Sequence, residues 1–166
     1  MSPSACAAAP ALGAAPTPRS LSARDLGEVV DLLLHSPLHR GFTVADVEDW
    51  FVPPLRLGQY RFYRRGPTAV GIVTWASLDE RRLATFLAGD DALARDDWRG
   101  GDRLVIVDFV APAGGVAAMV ADLRRRVFVG REAWATRRAP DGRLKRVVHY
   151  PAVDARGRRL GADATL

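Results

Sequence analysis

The segment Arg103–Val110 restricts the fold of this chain more than any other, because it is a run of mostly β-branched and aromatic residues with one carboxylate inside it. Such a run predicts a buried strand at the centre of a sheet. Asp108 interrupts the run, and a carboxylate in the middle of a buried strand is costly unless it is paired or hydrogen-bonded. We therefore expect Asp108 to have a partner, either a histidine or an arginine. With an arginine, the pair would be a structural ion pair.

Local patterns predict the other elements. Ser22–Asp25 and Thr43–Asp46 resemble capping boxes, and apolar residues follow each of them at helical spacing. The first helix should end near His35–Pro37 and the second at Pro53–Pro54, because proline disfavours continued helical geometry. Further strands are predicted at residues 59–63, 69–76, 132–136 and 144–150, and further helices at residues 78–88 and 116–127. This order predicts a single α/β domain with a mixed sheet flanked by helices.

The two ends of the sequence are expected to lie outside the folded domain. Residues 1–18 are rich in alanine and proline, have no lysine or arginine, and therefore predict a disordered tail rather than a secretory signal. The domain should span residues 19–150, and residues 151–166 should form an extended C-terminal tail.

The single cysteine and the hydropathy pattern exclude several classes of protein. Cys6 is the only cysteine, so a disulfide framework and a cysteine-based zinc site are excluded, and no metal site is expected. No run of about 18 apolar residues occurs, so no membrane-spanning helix is expected. We therefore expect a cytoplasmic protein without stable membrane insertion.

The net charge of +5 comes almost entirely from arginine, since Lys145 is the only lysine. Such a bias reflects either GC-rich codon usage or an acidic partner. The arginines are scattered, and no zinc-finger, ribonucleoprotein or helix-turn-helix pattern is present, so nucleic acid is not the expected partner.

His39 is the second polar residue in a position that packing alone does not explain. It lies in the segment Ser36–Arg40, between the two predicted helices. The sequence leaves two interpretations open: a surface loop histidine, or a functional partner of Asp108.

Four segments in one order support the functional interpretation. They are Ser36–Arg40 (SPLHR), Val73–Leu78 (VTWASL), Asp97–Arg103 (DWRGGDR) and Val107–Pro112 (VDFVAP). Together they resemble the RTX toxin-activating lysine acyltransferases of the hemolysin C type, and the likeness runs from about residue 32 to residue 136.

The resemblance implies a fold, a reaction and a set of partners. The fold would resemble the GCN5-related N-acetyltransferases, abbreviated GNAT. The acyl donor would be carried on acyl carrier protein, the acceptors would be internal lysines of an RTX protoxin, and no cofactor would be bound. A homodimer is a further expectation. The family's essential histidine corresponds to His39, its catalytic aspartate to Asp108, and an influential serine to Ser36, a secondary candidate.

The chemistry agrees with these residue types. An amine attacks a thioester only in its neutral form, and an imidazole can take up a proton close to neutral pH. Asp108 would orient the ring and stabilise the imidazolium. Alternatively, His39 attacks the thioester first and forms an acyl-imidazole. The sequence leaves both routes open.

Two other functions compete with this one. The first is a coenzyme A-dependent N-acetyltransferase of the same fold, although the R/Q-x-x-G-x-G/A loop that binds the pyrophosphate is absent. The second is a non-catalytic chaperone of the toxin, although His39 and Asp108 are both present.

Some family members have an asparagine in the second helix, where residues 48–51 here read EDWF.

Weaker candidates lie elsewhere in the chain. Gly114 and Gly115 precede a predicted helix and either bind a phosphopantetheine phosphate or form a plain turn. Five arginines near the central strand or on the following helix either dock acyl carrier protein or form a solvated face: Arg99, Arg103, Arg124, Arg125 and Arg126. The tryptophans should be core residues, of which one or two could line an acyl channel: Trp50, Trp75, Trp98 and Trp134.

Overall fold

The computed structural model describes residues 20–90, 92–139 and 143–160. Within these residues, helices α1 to α4 and strands β1 to β5 form one α/β domain. The helices are Ala23–Leu34, Val44–Leu57, Glu80–Leu87 and Val116–Asp122, and the strands are Tyr60–Arg65, Thr68–Leu78, Arg103–Val110, Ala133–Arg138 and Leu144–Tyr150. The predicted tail at residues 1–18 lies outside the described residues.

The sheet has the order β1-β2-β3-β4-β5, so β3 is its central strand, as predicted. Neighbouring strands are antiparallel except β3 and β4, which are parallel and are joined by a crossover through α4. Helices α1, α2 and α3 cover one face of the sheet, and α4 with the turn after it covers the other. The predicted mixed sheet flanked by helices is therefore confirmed, and it is compatible with a GNAT-like fold.

Side-chain caps start the first two helices where the sequence predicts them. The Ser22 hydroxyl accepts a hydrogen bond from the backbone of Asp25 at the start of α1. Thr43 and Asp46 form a complete capping box at the start of α2. Helix α1 ends at Leu34, also as predicted. These caps satisfy backbone N–H groups that have no partner within the helix.

The predicted end of α2 at its two prolines is wrong. Pro53 and Pro54 lie inside the helix, which continues to Leu57 and ends at Gly58 in the left-handed conformation, with φ 68°. Each proline removes a helical hydrogen bond. Burial of Pro54 and Leu55 offsets that loss, since Leu55 belongs to the apolar cluster between the first two helices and the sheet.

The helix predicted for residues 116–127 is regular only in its first half. From Leu123 to Val127 the backbone widens into a π-helical turn, closed by a hydrogen bond of 2.8 Å from the Phe128 N–H to the Leu123 carbonyl. Leu123 and Phe128 are both buried in one cluster against the sheet. The wide turn brings these two side chains, five residues apart, to the same side of the helix.

For residues 151–160 the structure differs from the extended chain that the sequence predicts, and residues 161–166 lie outside the described part. The chain turns back, with Val153 bridged to Arg159, and the Val153 side chain is only 2% exposed. The Gly130 N–H donates to the Val153 carbonyl at 2.8 Å, and Arg124 donates to the Pro151 carbonyl at 3.0 Å. Burial of one apolar side chain and these two hydrogen bonds hold the segment on the domain.

Candidate active site

Strand β3 contains a β-bulge at Asp108. Thr74 of β2 lies opposite two residues of β3, Val107 and Asp108, between two regular stretches of the ladder. The bulge leaves the Asp108 N–H without a partner in the ladder, and this N–H donates instead to the Thr74 hydroxyl at 3.1 Å. The Thr74 side chain is fully buried. A bulge of this kind bends a strand and redirects the side chains next to it.

The bulge determines which face of the sheet Asp108 occupies. Leu104 and Ile106 pack against the wide turn after α4, while Val105 packs on the opposite face with α3. Strict alternation would place Asp108 on the same face as Ile106. Instead, Asp108 contacts His39, which lies on the face covered by α1 and α2. The extra residue therefore turns the carboxylate towards the histidine.

Three polar side chains form one hydrogen-bonded chain at this point. His39 Nε2 lies 3.1 Å from Asp108 Oδ1, and His39 Nδ1 lies 2.7 Å from Ser36 Oγ. His39 is 4% exposed and also contacts Phe42 edge-on, with ring centroids 5.1 Å apart. The interpretation of His39 as a surface loop histidine is therefore wrong. The partner of Asp108 is the histidine rather than an arginine.

Both ring nitrogens of His39 are occupied, which limits what the ring can do. An ionised Asp108 can only accept hydrogen bonds, so the matching tautomer has a proton on Nε2, and this N–H donates a hydrogen bond to the carboxylate. The Ser36 hydroxyl can donate to Nδ1 of the neutral ring or accept from Nδ1 of the imidazolium. Proton uptake by His39 therefore gives an imidazolium with both N–H groups bonded, one of them to a negative charge.

The short loop between α1 and α2 holds this arrangement in place. The N–H groups of His39 and Arg40 both donate to the Ser36 carbonyl, at 3.0 and 2.9 Å. The Phe42 N–H donates to the His39 carbonyl at 2.9 Å. Successive turns fix the ring relative to β3, so the histidine is positioned before any substrate arrives.

The pair lies in the wall of an apolar pocket of about 440 Å³. The register of β3 and β4 ends at Ile106 and Ala135, beyond which the two strands separate and the pocket opens between them. Phe42 and Trp50 form part of its wall on the helical side. A pocket of this size lined mostly by apolar groups suits a hydrophobic ligand. Trp50 is thus the one of the four tryptophans that lines the pocket.

Ser36 does not line this pocket, although it bonds to His39. It is 8% exposed. The pocket reaches the histidine from the side of Asp108, so the serine supports the ring from the opposite side.

Gly114 and Gly115 do not join the pair; they line a separate cavity of about 420 Å³ beside β1. In that cavity Asp122 pairs with Arg61 at 2.6 Å and accepts from the Tyr63 hydroxyl at 3.1 Å. Burial and the neighbouring carboxylate raise the pKa of Tyr63, which keeps its hydroxyl protonated as a donor. These polar groups satisfy one another, which fits a structural link between β1 and the end of α4.

The five arginines predicted to dock a partner also lie away from the pocket. Four of them bond to other parts of the chain: Arg99 to the Leu57 carbonyl, Arg103 to Glu80, Arg124 to the Pro151 carbonyl and Arg126 to Asp122. The fifth, Arg125, packs against the backbone at Gly157.

Sequence reasoning did not identify Thr74, Arg137 or Arg138 as part of the site. The only available signal for Thr74 was a polar residue inside an apolar strand.

Within the part of the chain that the structure describes, no helix is long and apolar enough to cross a membrane.

Comparison with known proteins identifies the family. Residues 21–152 match the HlyC family, described as the RTX toxin acyltransferase family. The lysine-acyltransferase RtxC of Vibrio cholerae serotype O1 is 34% identical over 105 residues, which cover 63% of this chain and 69% of the relative. The RTX-I toxin-activating lysine-acyltransferase ApxIC of Actinobacillus pleuropneumoniae is 30% identical over 125 residues, or 75% and 72% of the two chains. The protein-lysine myristoyltransferase HlyC of Escherichia coli is 32% identical over 101 residues, or 61% and 58%. The chain belongs to the RTX toxin acyltransferase family.

Proposed function

We propose that this protein transfers a fatty acyl group from acyl carrier protein to the ε-amino groups of internal lysines of an RTX protoxin. His39 acts as the general base or as the acyl-accepting nucleophile, and Asp108 orients it. The observation that carries this proposal is the His39–Asp108 pair in the wall of an apolar pocket. The names of the relatives, which describe lysine acylation and toxin activation, support the same reaction.

In the direct route, the lysine nitrogen attacks the thioester carbonyl, the C–N bond forms and the C–S bond breaks. The amine proton passes to His39 Nδ1, directly or through the Ser36 hydroxyl bonded to it, and the imidazolium returns a proton to the departing thiolate. In the two-step route, His39 Nδ1 attacks first in place of its hydrogen bond to Ser36, and a thiolate leaves. The lysine then attacks the acyl-imidazole, the C–N bond to the ring breaks, and the amine proton goes to the thiolate. In both routes a positive charge develops on the ring, and the Asp108 carboxylate stabilises it.

The donor assignment rests on two features besides the resemblance. The loop that binds the pyrophosphate of coenzyme A in GNAT enzymes is absent from the sequence. The chain is also strongly basic, with a net charge of +5, and acyl carrier proteins are generally acidic. Both features favour a carrier protein over coenzyme A as the source of the acyl group.

The function is tested by co-expressing the full chain with an RTX protoxin and measuring the masses of lysine-containing peptides. A fatty acyl increment on internal lysines, absent with the His39→Gln variant, is the expected result. An acetyl increment would indicate the N-acetyltransferase. Unmodified lysines in a protoxin that still binds the chain would indicate a chaperone.

The two routes are separated in a single-turnover experiment without acceptor. The enzyme is mixed with acyl carrier protein loaded with a myristoyl group, quenched and digested. An acyl increment on the peptide containing His39 supports the two-step route, and an unmodified peptide supports direct transfer. The homodimer remains a prediction of the resemblance, which light scattering on the purified chain would test.

A further inference from the structure

The hairpin of β4 and β5 has a concentration of positive charge that the fold does not explain. Arg137 of β4 lies directly opposite Arg146 of β5 in the antiparallel register, and both side chains are exposed. Like charges directly opposite each other destabilise a sheet. Lys145, next to Arg146 and also exposed, adds a third positive charge on the opposite face of the same edge strand. We call these three residues the hairpin patch.

No acidic group in the described part of the chain compensates the hairpin patch. Within residues 20–90, 92–139 and 143–160, none of its three side chains makes a hydrogen bond or an ion pair. The five arginines favoured by the sequence differ in this respect, because four of them bond to carboxylates or carbonyls of this chain. The charges of the patch are available to another molecule.

The hairpin patch lies beside the opening of the apolar pocket. Arg137 lines the pocket itself, next to Arg138. Side chains of a strand alternate between its two faces, so Arg146 and Tyr150, which are both in β5 and an even number of residues apart, share one face. Tyr150 also lines the pocket. A molecule bound to the patch can therefore reach the pocket along this face of the hairpin.

The sign of the charge favours the acyl donor over the acyl acceptor. The acceptor brings a lysine, whose ammonium group is repelled by clustered arginines. The donor brings an acidic carrier protein and a prosthetic arm that begins with a phosphodiester, and arginine binds both carboxylates and phosphates well. β5 is the edge strand of the sheet, so a partner can approach it without obstruction from a neighbouring strand.

We propose that Arg137, Lys145 and Arg146 form the docking surface for the acidic acyl carrier protein and direct its acylated arm into the pocket between β3 and β4. This inference rests on the proposed function, because it takes a carrier protein as the donor. This surface takes the place of the arginines at positions 99, 103 and 124–126, because the described residues leave its charges without an acidic partner.

The test compares two double variants of the full chain with the same change in net charge. Arg137→Gln/Arg146→Gln neutralises the patch, and Arg81→Gln/Arg156→Gln removes two exposed arginines elsewhere. The measured quantity is the dissociation constant for myristoyl-loaded acyl carrier protein, at low and at high salt. We expect about fivefold or more weakening for the patch variant, with a smaller salt dependence, and less than about twofold for the control. Arg137→Lys/Arg146→Lys keeps both charges and should retain most of the affinity.

The possible results separate this inference from the proposed function. If the wild-type chain does not bind the loaded carrier protein, the assignment of the donor is wrong, and the proposed docking surface is wrong as well. If the wild type binds and both double variants bind equally well, or are weakened equally, the hairpin patch is not the docking surface and the proposed function stands. Circular dichroism establishes that the variants are folded. Should the double glutamine variant fail to fold, the Arg146→Gln single variant gives the same comparison.

Discussion

Replacing Thr74 with valine should reduce the activity of this enzyme far more than its stability. Valine has nearly the same shape as threonine, so the change removes a hydroxyl and little else. That hydroxyl accepts the hydrogen bond from the Asp108 N–H at the bulge. Without it, the N–H has no partner in the sheet, and the backbone at the bulge is no longer held in its observed conformation.

The structure sets the expected size of both effects. An unsatisfied buried donor costs about 1–3 kcal/mol, which lowers the melting temperature of a domain of this size by about 2–12 °C. The protein should still fold, because domains typically have about 5–15 kcal/mol of stability. A displacement of about 1 Å at Asp108 can reduce the rate about a hundredfold, since the carboxylate must meet His39 Nε2 at 3.1 Å.

Thr74→Ser is the matched control. It keeps the hydroxyl and removes one methyl group from a fully buried position, which costs roughly 1 kcal/mol. The two variants should therefore lose comparable stability but differ about tenfold or more in the acylation rate measured with saturating donor. If their rates are equal, or if both rates simply follow their melting temperatures, Thr74 contributes only to packing and our reading of the bulge is refuted.

Four further changes test the site and the fold. His39→Gln should abolish acyl transfer in a protein that is folded by circular dichroism, and near wild-type transfer would exclude both proposed roles of the ring. Asp108→Asn should reduce the rate at least about a hundredfold with little change in melting temperature, because an amide cannot balance an imidazolium; a large loss of stability would instead indicate a structural pair. Ser36→Ala should reduce the rate about tenfold, because the hydroxyl holds His39 Nδ1, and an unchanged rate would show that this hydrogen bond is not needed for transfer. Val153→Ala should lower the unfolding free energy by about 1–3 kcal/mol in denaturant titrations, whereas an unchanged midpoint would show that the C-terminal turn is marginal to the fold.

The parts of the fold that local chemistry determines could be predicted from the sequence. The central strand at Arg103–Val110 and the caps at Ser22 and Thr43 follow from residue types at fixed spacing, and all of them are present. The continuation of α2 through Pro53 and Pro54 depends on what those residues pack against, which no local pattern contains.

The candidate site also has features that the local sequence pattern predicts and features that only the packing of distant segments determines. Asp108 was identified because a buried carboxylate needs a partner, and the partner proved to be His39. The bulge could not be predicted, because strict alternation assigns Asp108 to the wrong face and only the pairing with β2 shows the extra residue. The sequence favours five arginines as docking residues only by their position along the chain. Ion pairs and hydrogen bonds within the fold, which the sequence does not show, occupy four of the five.

The single parallel pairing in the sheet has a consequence for how this protein folds and moves. Strands β1 to β3 form a meander, and β4 and β5 form a hairpin. Each of these antiparallel pairings extends over six residue pairs, whereas β3 and β4 are joined over only three. The β1–β2 and β4–β5 pairings join segments linked by short turns and should form early, while the β2–β3 pairing and the parallel seam must wait for the longer connections through α3 and α4. The seam should also be the first part of the sheet to open in the native state. Hydrogen exchange should therefore be faster for the amides that bond β3 to β4, at Leu104–Ile106 and Ala133–Ala135, than for the amides that bond the strands of the meander. Since the pocket begins where this seam ends, local opening of the hairpin would widen it without unfolding the domain, and a bound acyl chain should slow exchange at the same amides.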